Sequence, residues 1–327
     1  MGTLTSIDLF CGAGGLSLGM KRAGFKVVAA VENDADAAST YAHAFPDERL
    51  ITADVCGVKF AKEFFGVDVV VGGPPCQPWS SGGKRLGQND QRDLLPEFVR
   101  AILEIRPRGF LMENVPGLAT THRQYLVETL KPLCAYYNVQ EPLLVNAADH
   151  GVPQKRRRVF VVGVRKDAGR SFKLPHPQAH LPASVVLTKE TFGIPNSAII
   201  TYAKNPDLRP SPFDGQLFNG GGRPINMDAP APTILASAGG NKTPFIDADG
   251  QVPLYHAHLM RGGSARSGQF QGGRRISVAE CARIQTFPDT FKFFGPRSSQ
   301  YRQIGNAVPP RLAEVAGQAL AEALRSA

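Results

Sequence analysis

With 327 residues, 43% of them hydrophobic and 20% charged, the chain can bury a sizeable core, as expected of a soluble globular protein with one large domain or a large and a smaller one. No apolar run approaches the ~18 residues of a membrane-spanning helix. A formal net charge of +9 favours a polyanionic partner, nucleic acid ahead of an acidic small molecule, through long-range attraction and counterion release.

From the amino terminus to residue 165, short apolar runs alternate with helical patterns, which predicts an α/β fold with a doubly wound, mostly parallel sheet. Ser6 to Phe10 reads as the first strand, Leu16 to Ala23 as a helix and Lys26 to Val31 as the second strand. Asp34 is placed to cap a helix through Tyr41, and Val67 to Val71 is a buried strand. Leu94 to Glu104 is a helix, Gly109 to Val115 a strand, and Arg158 to Val164 closes the series. Between residues 170 and 273 Pro and Gly become frequent around short apolar pieces such as Ser197 to Tyr202, so this stretch is expected to be loop-rich and partly β. Helical patterns return at Val278 to Thr286 and at Pro310 to Arg325, the last placed to pack back onto the first domain. The expected division is a larger domain over 1–175, completed by 300–327, and a smaller domain with its hinge over 176–299.

Five cysteines (Cys11, Cys56, Cys76, Cys134, Cys281) form an odd, scattered set without CxxC spacing, which indicates neither a disulfide framework nor a zinc site. No charged-then-apolar leader precedes the first strand, which points to the cytoplasm. Cys76 stands apart because Gly72 to Ser80 reads Gly-Gly-Pro-Pro-Cys-Gln-Pro-Trp-Ser. Three prolines stiffen that turn at the carboxyl end of a strand, the edge where open α/β sheets place their chemistry. An isolated intracellular cysteine is more often a small buried hydrophobe, so the assignment needs company.

That company comes from five segments. Asp8 to Gly15 joins the first strand to its helix with residues small enough to let a ligand reach backbone amides. Ser17 stands where a dinucleotide fingerprint wants its third glycine, which disfavours a nicotinamide cofactor. Glu32 ends the second strand, where a carboxylate can accept both hydroxyls of an adenosine ribose, and Asp54 after the third run can accept from an adenine amino group. Glu113 closes Leu111-Met112-Glu113-Asn114-Val115; a partly buried carboxyl there holds a proton and donates it to a ring nitrogen while a thiolate attacks. Finally, residues 155 to 173 carry eight basic side chains against the single acid Asp167. Strand alternation sends Arg156 and Arg158 toward one face, converging on the site, and Arg157 toward solvent or phosphate.

Together these segments resemble the DNA cytosine-5 methyltransferases, in particular the compact bacterial enzymes of restriction and modification systems. The resemblance extends through Arg274-Arg275-Ile276, Glu280-Cys281-Ala282-Arg283, Phe287-Pro288-Asp289 and Gln303 to Val308, almost the whole chain. It implies an S-adenosylmethionine-dependent methyltransferase sheet with a smaller target-recognition domain around Ala231-Pro232-Thr233-Ile234. Cofactor contacts would fall to Phe10 beside the adenine, to Gly12, Ala13, Gly14 and Gly15 along the methionine part, to Glu32 on the ribose with Asn33 next to it, and to Asp54 with Val55 at the adenine. Pro75, Leu95, Asn306 and Ala307 would complete that pocket. Gln77, Asn114, Arg156 and Arg158 would surround Cys76, Glu113 and the target base, and no metal is required. Ser80, Arg157, Thr233, Arg261, Arg266 and Arg274 are the implied DNA contacts, with Arg275 an alternative support for the hinge.

In this reading Cys76 adds to C6 of a cytosine flipped out of duplex DNA, C5 accepts the methyl group, and S-adenosylhomocysteine leaves. The protein is expected to act as a cytoplasmic, nucleoid-associated monomer, alongside a restriction endonuclease that shares its site without stable binding. Two alternatives stay open at this point. RNA could replace DNA as the polymer, since the same cysteine and glutamate would serve, or the chain could be a non-catalytic DNA-binding or cofactor-sensing module. A thiol redox protein is weaker, because Cys76 has no resolving cysteine near it in sequence.

Overall fold

The first half of the chain lays down strands and helices in alternation. In order they are β1 (Thr5–Leu9), α1 (Gly15–Arg22), β2 (Lys26–Glu32), α2 (Ala35–Ala44), β3 (Arg49–Thr52), α3 (Phe60–Phe64), β4 (Val69–Gly72), α4 (Leu95–Ile105), β5 (Gly109–Asn114), α5 (Pro116–Ala119), α6 (Arg123–Leu130), β6 (Tyr137–Val139), β7 (Leu143–Asn146) and β8 (Arg157–Arg165). Then follow β9 (Tyr202–Asp207), β10 (Gln216–Phe218), β11 (Phe245–Asp247), α7 (Gln251–Met260), β12 (Gly273–Arg275), α8 (Val278–Ile284), α9 (Arg297–Asn306) and α10 (Pro310–Arg325). The structure, a computed structural model, describes residues 2–75 and 93–325. Cys76, Gln77 and Ser80 lie outside the described residues.

The large sheet has eight strands in the order β3-β2-β1-β4-β5-β8-β6, with β7 also paired to β8. β3, β2, β1, β4 and β5 run parallel, whereas β8 is antiparallel to β5 and to both β6 and β7. Strand order reverses between β1 and β4, so the loops leaving these two strands diverge and open a crevice at their carboxyl ends. One face of β1 sends Ile7 and Leu9 into a core shared with Phe98, Ile102, Phe110 and Tyr137. Phe98 meets Phe110, and Phe110 meets Tyr137, edge to face, at centroid distances of 6.4 and 5.5 Å. Each such side chain, fully buried, contributes about 1.5–3 kcal/mol of transfer free energy, enough in sum to fix the strand ends that carry the site. α4 buries Leu95, Phe98, Val99, Ala101, Ile102 and Ile105 along one face and stops at Arg106, which is left-handed (φ 55°). α1 and α10 approach closely because Gly19 faces Ala313: a Cβ on Gly19 would lie 2.2 Å from the Ala313 methyl.

Contacts divide the chain into two units: Met1–His150 with Arg157–Gln178 and Ala307–Ala327, and Gly151–Arg156 with Ala179–Asn306. The second unit has its own core of Ile200, Leu217, Phe218, Phe245, Val252, Tyr255, Leu259 and Phe270, under two small antiparallel sheets, β9 with β10 and β11 with β12. Gly151–Arg156 groups with it because Gln154, Lys155 and Arg156 hydrogen-bond to Ile234, Ala231 and Gly305. Of the apolar piece Ser197 to Tyr202, only Tyr202 joins a strand, as the first residue of β9. α7 was not legible in the sequence. α8 opens on a capping box between Ser277 and Glu280 and ends at Ile284, two residues earlier than expected, because Thr286 takes a left-handed φ of 67° that a helix cannot continue through.

Candidate active site

The chain leaves β1 through a strained turn. Phe10 has φ 60°, unusual for a bulky residue, and Gly12 follows at φ 55° with nothing within 4 Å of where its Cβ would stand. Its N–H donates to Glu32 Oε2 at 2.7 Å, while Glu32 Oε1 accepts from the N–H groups of Asn33 and Asp34 at 2.9 and 2.8 Å. The carboxylate is thus fixed at the end of β2 by three backbone donors, leaving roughly one of its four acceptor positions for a ligand hydroxyl. Asp34 in turn caps α2, as the sequence indicated, by accepting from Ala37 N–H. Asp54, exposed after β3, accepts from Cys56 N–H at 2.9 Å, and that bond holds its carboxyl below the usual range. Val55 beside it is buried.

The glycines of this turn do different work. Gly12 borders open space, but a Cβ on Gly14 would lie 2.3 Å from the Phe45 ring, so Gly14 serves packing against α2. Ala13 and Gly15 are buried as well. Ser17, where a dinucleotide site would have glycine, donates to Asp8 Oδ2 at 2.6 Å. Tyr41 hydroxyl lies 3.0 Å from Ser17 Oγ and donates to Glu48, which pairs with Lys21. Burial raises the Asp8 carboxyl to about 7 against the Ser17 hydrogen bond that opposes it. Open space at Gly12, the half-buried Phe10 ring, the fixed Glu32 and the exposed Asn33 and Asp54 fit a cofactor bearing an adenosine and a charged tail.

At the neighbouring strand ends, Glu113 Oε2 lies 3.4 Å from where a Gly73 Cβ would stand, and Asn114 Nδ2 donates to the Pro74 carbonyl at 3.0 Å. Both side chains therefore bracket the start of the segment that carries Cys76, three residues beyond Gly73. Pro75 accepts from Leu94 N–H at 3.4 Å, and Leu95 is fully buried in the core with α4. Glu113 pairs in register with Phe160 of β8, and Arg158, two residues along the same face, brings Nε to 2.8 Å from Glu113 Oε1. The approach is an ion pair without hydrogen-bond alignment: among the described residues no aligned donor meets Glu113 Oε1. Glu113 is 7% exposed, so its carboxyl is largely withdrawn from solvent.

Three of the four described thiols make poor rivals for Cys76. Burial pushes Cys11 and Cys281 well above the ordinary thiol range, and desolvation raises Cys56. A thiolate is the reacting form, so these positions favour the inert thiol.

Arg156 does not join Arg158. It is fully buried, and its guanidinium donates to the carbonyls of Ile234 and Gly305 within the second unit, at 3.2 and 2.9 Å. Arg157 is exposed at the first position of β8. Arg274 is also engaged inward: it donates to the carbonyls of Thr188, Lys189 and Glu190 and pairs with buried Glu280 at 2.8 Å, which argues against a phosphate contact. Thr233 Oγ1 donates to the Lys155 carbonyl. Arg261 and Arg266 are exposed, the latter over the Tyr255 ring at 5.4 Å. Asn306, exposed, ends α9, and Ala307 follows at the change of unit. Sequence reasoning missed Gln154 and Gln285, two buried amides, because nothing in a sequence separates a buried glutamine from an exposed one.

A glycine turn bordered by open space, a carboxylate held by backbone donors at the end of β2 and a glutamate–arginine pair at the end of β5 stand at the carboxyl ends of a doubly wound sheet, the layout of an S-adenosylmethionine-dependent methyltransferase. The model of the C-5 cytosine-specific DNA methylases matches residues 4–207 and 231–322, and the chain belongs to that family. It is 34% identical to the Neisseria gonorrhoeae type II methyltransferase M.NgoMIV over 98% of each chain. It is 36% identical to M1.HphI of Haemophilus parahaemolyticus, covering 98% of this chain and 87% of that one. Among solved structures, a DNA modification methyltransferase encoded within an Escherichia coli prophage superposes with a TM-score of 0.72 at 25% identity, covering 98% of this chain and 99% of that one.

Proposed function

We propose that this chain is the modification enzyme of a type II restriction-modification system, methylating C5 of one cytosine within a specific duplex sequence through a transient bond to Cys76. The similarity to type II methyltransferases supports the setting. The observation that carries the chemistry is the Glu113–Arg158 pair at 2.8 Å, set against Gly73 and Pro74 at the root of the Cys76 segment. The second unit reads the DNA sequence, with Arg261, Arg266 and Thr233 nearest the duplex. The enzyme works as a monomer on DNA in the cytoplasm, and the companion endonuclease recognises the same site without binding it.

C5 of cytosine is a weak nucleophile until a group adds at C6. Cys76 thiolate forms the Sγ–C6 bond and the ring electrons move toward C5 and N3. Protonated Glu113 donates to N3 through the oxygen that has no aligned donor, so the charge reaching the ring passes to the carboxylate, which Arg158 then balances; the proton returns to Glu113 when Cys76 leaves. Phe10, Gly12, Glu32, Asn33 and Asp54 would hold S-adenosylmethionine, whose sulfonium would supply an electrophilic methyl group, with S-adenosylhomocysteine as the product. Loss of the C5 proton to a base then returns electrons to C5–C6 and expels Cys76. Duplex stacking hides C6, so the base is first extruded, at about a few kcal/mol repaid by protein contacts. Asn114, through Pro74, keeps the Cys76 segment anchored to the end of β5.

Bisulfite sequencing of DNA from cells expressing the chain should report 5-methylcytosine at one position of one sequence. Cys76→Ser should abolish it, and a duplex with 5-fluorocytosine at that position should trap a covalent complex through Cys76. Turnover unaffected by Cys76→Ser, or methylation of RNA alone, would overturn the proposal.

A further inference from the structure

A line of polar side chains in the first unit runs from the interior of the sheet to the surface. Asp8, 1% exposed, stands on β1 two residues before Phe10. Its Oδ2 lies 2.6 Å from Ser17 Oγ on α1, Ser17 Oγ lies 3.0 Å from the Tyr41 hydroxyl on α2, and that hydroxyl lies 2.6 Å from Glu48 Oε2. Glu48 Oε1 is 2.8 Å from Lys21 Nζ, whose side chain is 45% exposed.

Counting hydrogens fixes the charge of this line. Each of the three oxygen–oxygen contacts needs one hydrogen, yet the Ser17 and Tyr41 hydroxyls supply only two. The third is a proton on a terminal carboxyl. Glu48 pairs with the Lys21 ammonium, so the proton belongs to Asp8. Asp8 Oδ1 meets no hydrogen-bond partner among the described residues, which a neutral acid tolerates better than a buried carboxylate does. Burial raises the Asp8 carboxyl to about 7; the Ser17 bond opposes this, and Glu32 and Glu48 add repulsion. Apart from Lys21 at the far end, the neighbouring elements bring Asp8 no cation: β2 contributes Glu32, the turn contributes Cys11, and β4 contributes Val70, Val71 and Gly72. Glu32 is also the acid that fixes the Gly12 turn, so the charge on Asp8 is felt where a ligand would sit.

We propose that Asp8 is a protonated acid wired to the surface through Ser17, Tyr41 and Glu48, and that it gives up its proton along this line when a sulfonium-bearing ligand occupies the Gly12 turn. The ligand half rests on the cofactor reading given above. As the proton leaves, the Asp8 O–H bond breaks and Ser17 Oγ takes that hydrogen, passing its own to Tyr41. Tyr41 passes its own to Glu48 Oε2, and Glu48 yields it to solvent beside Lys21. The Asp8 carboxylate then balances the positive charge. A neutral thioether in the same turn calls for no such charge, so rising pH favours the methyl donor over its product.

In the ligand-free full chain, carbon-13 NMR of labelled aspartate carboxyls should show Asp8 titrating near neutral pH, with Asp8→Asn identifying the resonance. Tyr41→Phe leaves Ser17 with one contact and one hydrogen, so the midpoint should fall by about one unit. Calorimetric titration at about pH 6.5, in buffers of different ionisation heat, counts protons. S-adenosylmethionine should release about half a proton more than S-adenosylhomocysteine, and Asp8→Asn should abolish the difference. The amino groups of the two ligands titrate alike against both proteins, so the comparison isolates Asp8. Between pH 6 and 8 the preference for the sulfonium ligand should grow about 5- to 50-fold in the wild type alone. If Asp8→Asn does not fold, the wild-type proton counts decide. An Asp8 midpoint at the ordinary 3.8, one unmoved by Tyr41→Phe, or equal proton release for the two ligands would overturn the proposal. A chain that binds neither ligand while Asp8 titrates near neutral pH overturns the cofactor reading, and the ligand half falls with it.

Discussion

The two units share one use of charge and differ in another: arginines of both tie down loop and helix-end carbonyls, as Arg100 does at Val55 and Val58 and Arg108 at Leu324 in the first, but the first also presents acids at its strand ends. In the first, acids sit at the ends of parallel strands, where backbone N–H groups or one arginine hold them and some acceptor capacity is left over: Glu32 at β2, Glu113 at β5. In the second, arginines fold back onto the unit's own carbonyls. Arg275, 2% exposed, donates to Ala198, Ile199 and Thr243; Arg274 and Arg156 do likewise. The cause is the amount of regular structure. A sheet pairs its own carbonyls, whereas a loop-rich unit leaves many without partners, and a buried carbonyl must find a donor. The guanidinium, with five donors and a permanent charge, serves several at once. An arginine in the second unit is thus first a structural tie, and a DNA contact where its carbonyl partners are few.

The largest effect that would sharpen this contrast is expected at Glu113. Glu113→Gln keeps the shape and removes the charge, and should lower kcat by about 10²- to 10⁴-fold. Single-turnover methylation of the cognate duplex measures it. If turnover were retained, the strand-end acids of the first unit would be structural ties as well, and the distinction between the units would fail.

How much of this was legible beforehand follows the same division. The parallel sheet, the cap at Asp34, the Gly12 turn and the placement of Glu113 at the end of the strand that pairs with β4 were readable because strand periodicity and strand ends are local properties. The fate of the arginines was not. Alternation along a strand does send Arg156 and Arg158 to one side in principle, but β8 begins at Arg157, so Arg156 precedes the strand and is not bound by its alternation. Glu280 illustrates the point from the other side: its role as Arg274's partner depends on a fold-back of β12 and α8 that no spacing encodes. Ser17 was visible as a departure from a glycine fingerprint, but its purpose, a hydrogen bond to a buried Asp8, required the structure.

Asp8 offers a second test, because the first unit's acids titrate and the second unit's guanidiniums do not. Its carboxyl is raised from an ordinary 3.8 to about 7 by burial, with Glu32 and Glu48 adding repulsion. The folded state therefore holds this proton more tightly than the unfolded one. The contribution to stability is complete below pH 4 and is lost as pH rises through 7. At about 1.4 kcal/mol per unit, the loss approaches roughly 4 kcal/mol. Urea unfolding at pH 5, 6, 7 and 8 should show the decline in the wild type and a much flatter profile in Asp8→Asn. Equal slopes in both proteins would remove Asp8 as the cause.

The smallest effects separate the two kinds of arginine within the second unit itself. Arg274→Ala leaves the 1%-exposed Glu280 side chain without its cation, although Ser277 N–H still donates to it. The cost should lie between that of exposed and buried pairs, about 1–3 kcal/mol, with the salt dependence of DNA binding unchanged. Arg261, exposed and bonded through Nε to the Ala257 carbonyl, should behave conversely. Arg261→Ala should leave the unfolding midpoint in place and reduce the slope of log affinity against log salt by about one, the signature of a lost phosphate contact. Were Arg274→Ala to reduce the salt slope and Arg261→Ala the stability, proximity to unpaired carbonyls would not be what assigns an arginine its task, and the contrast between the units would need another cause.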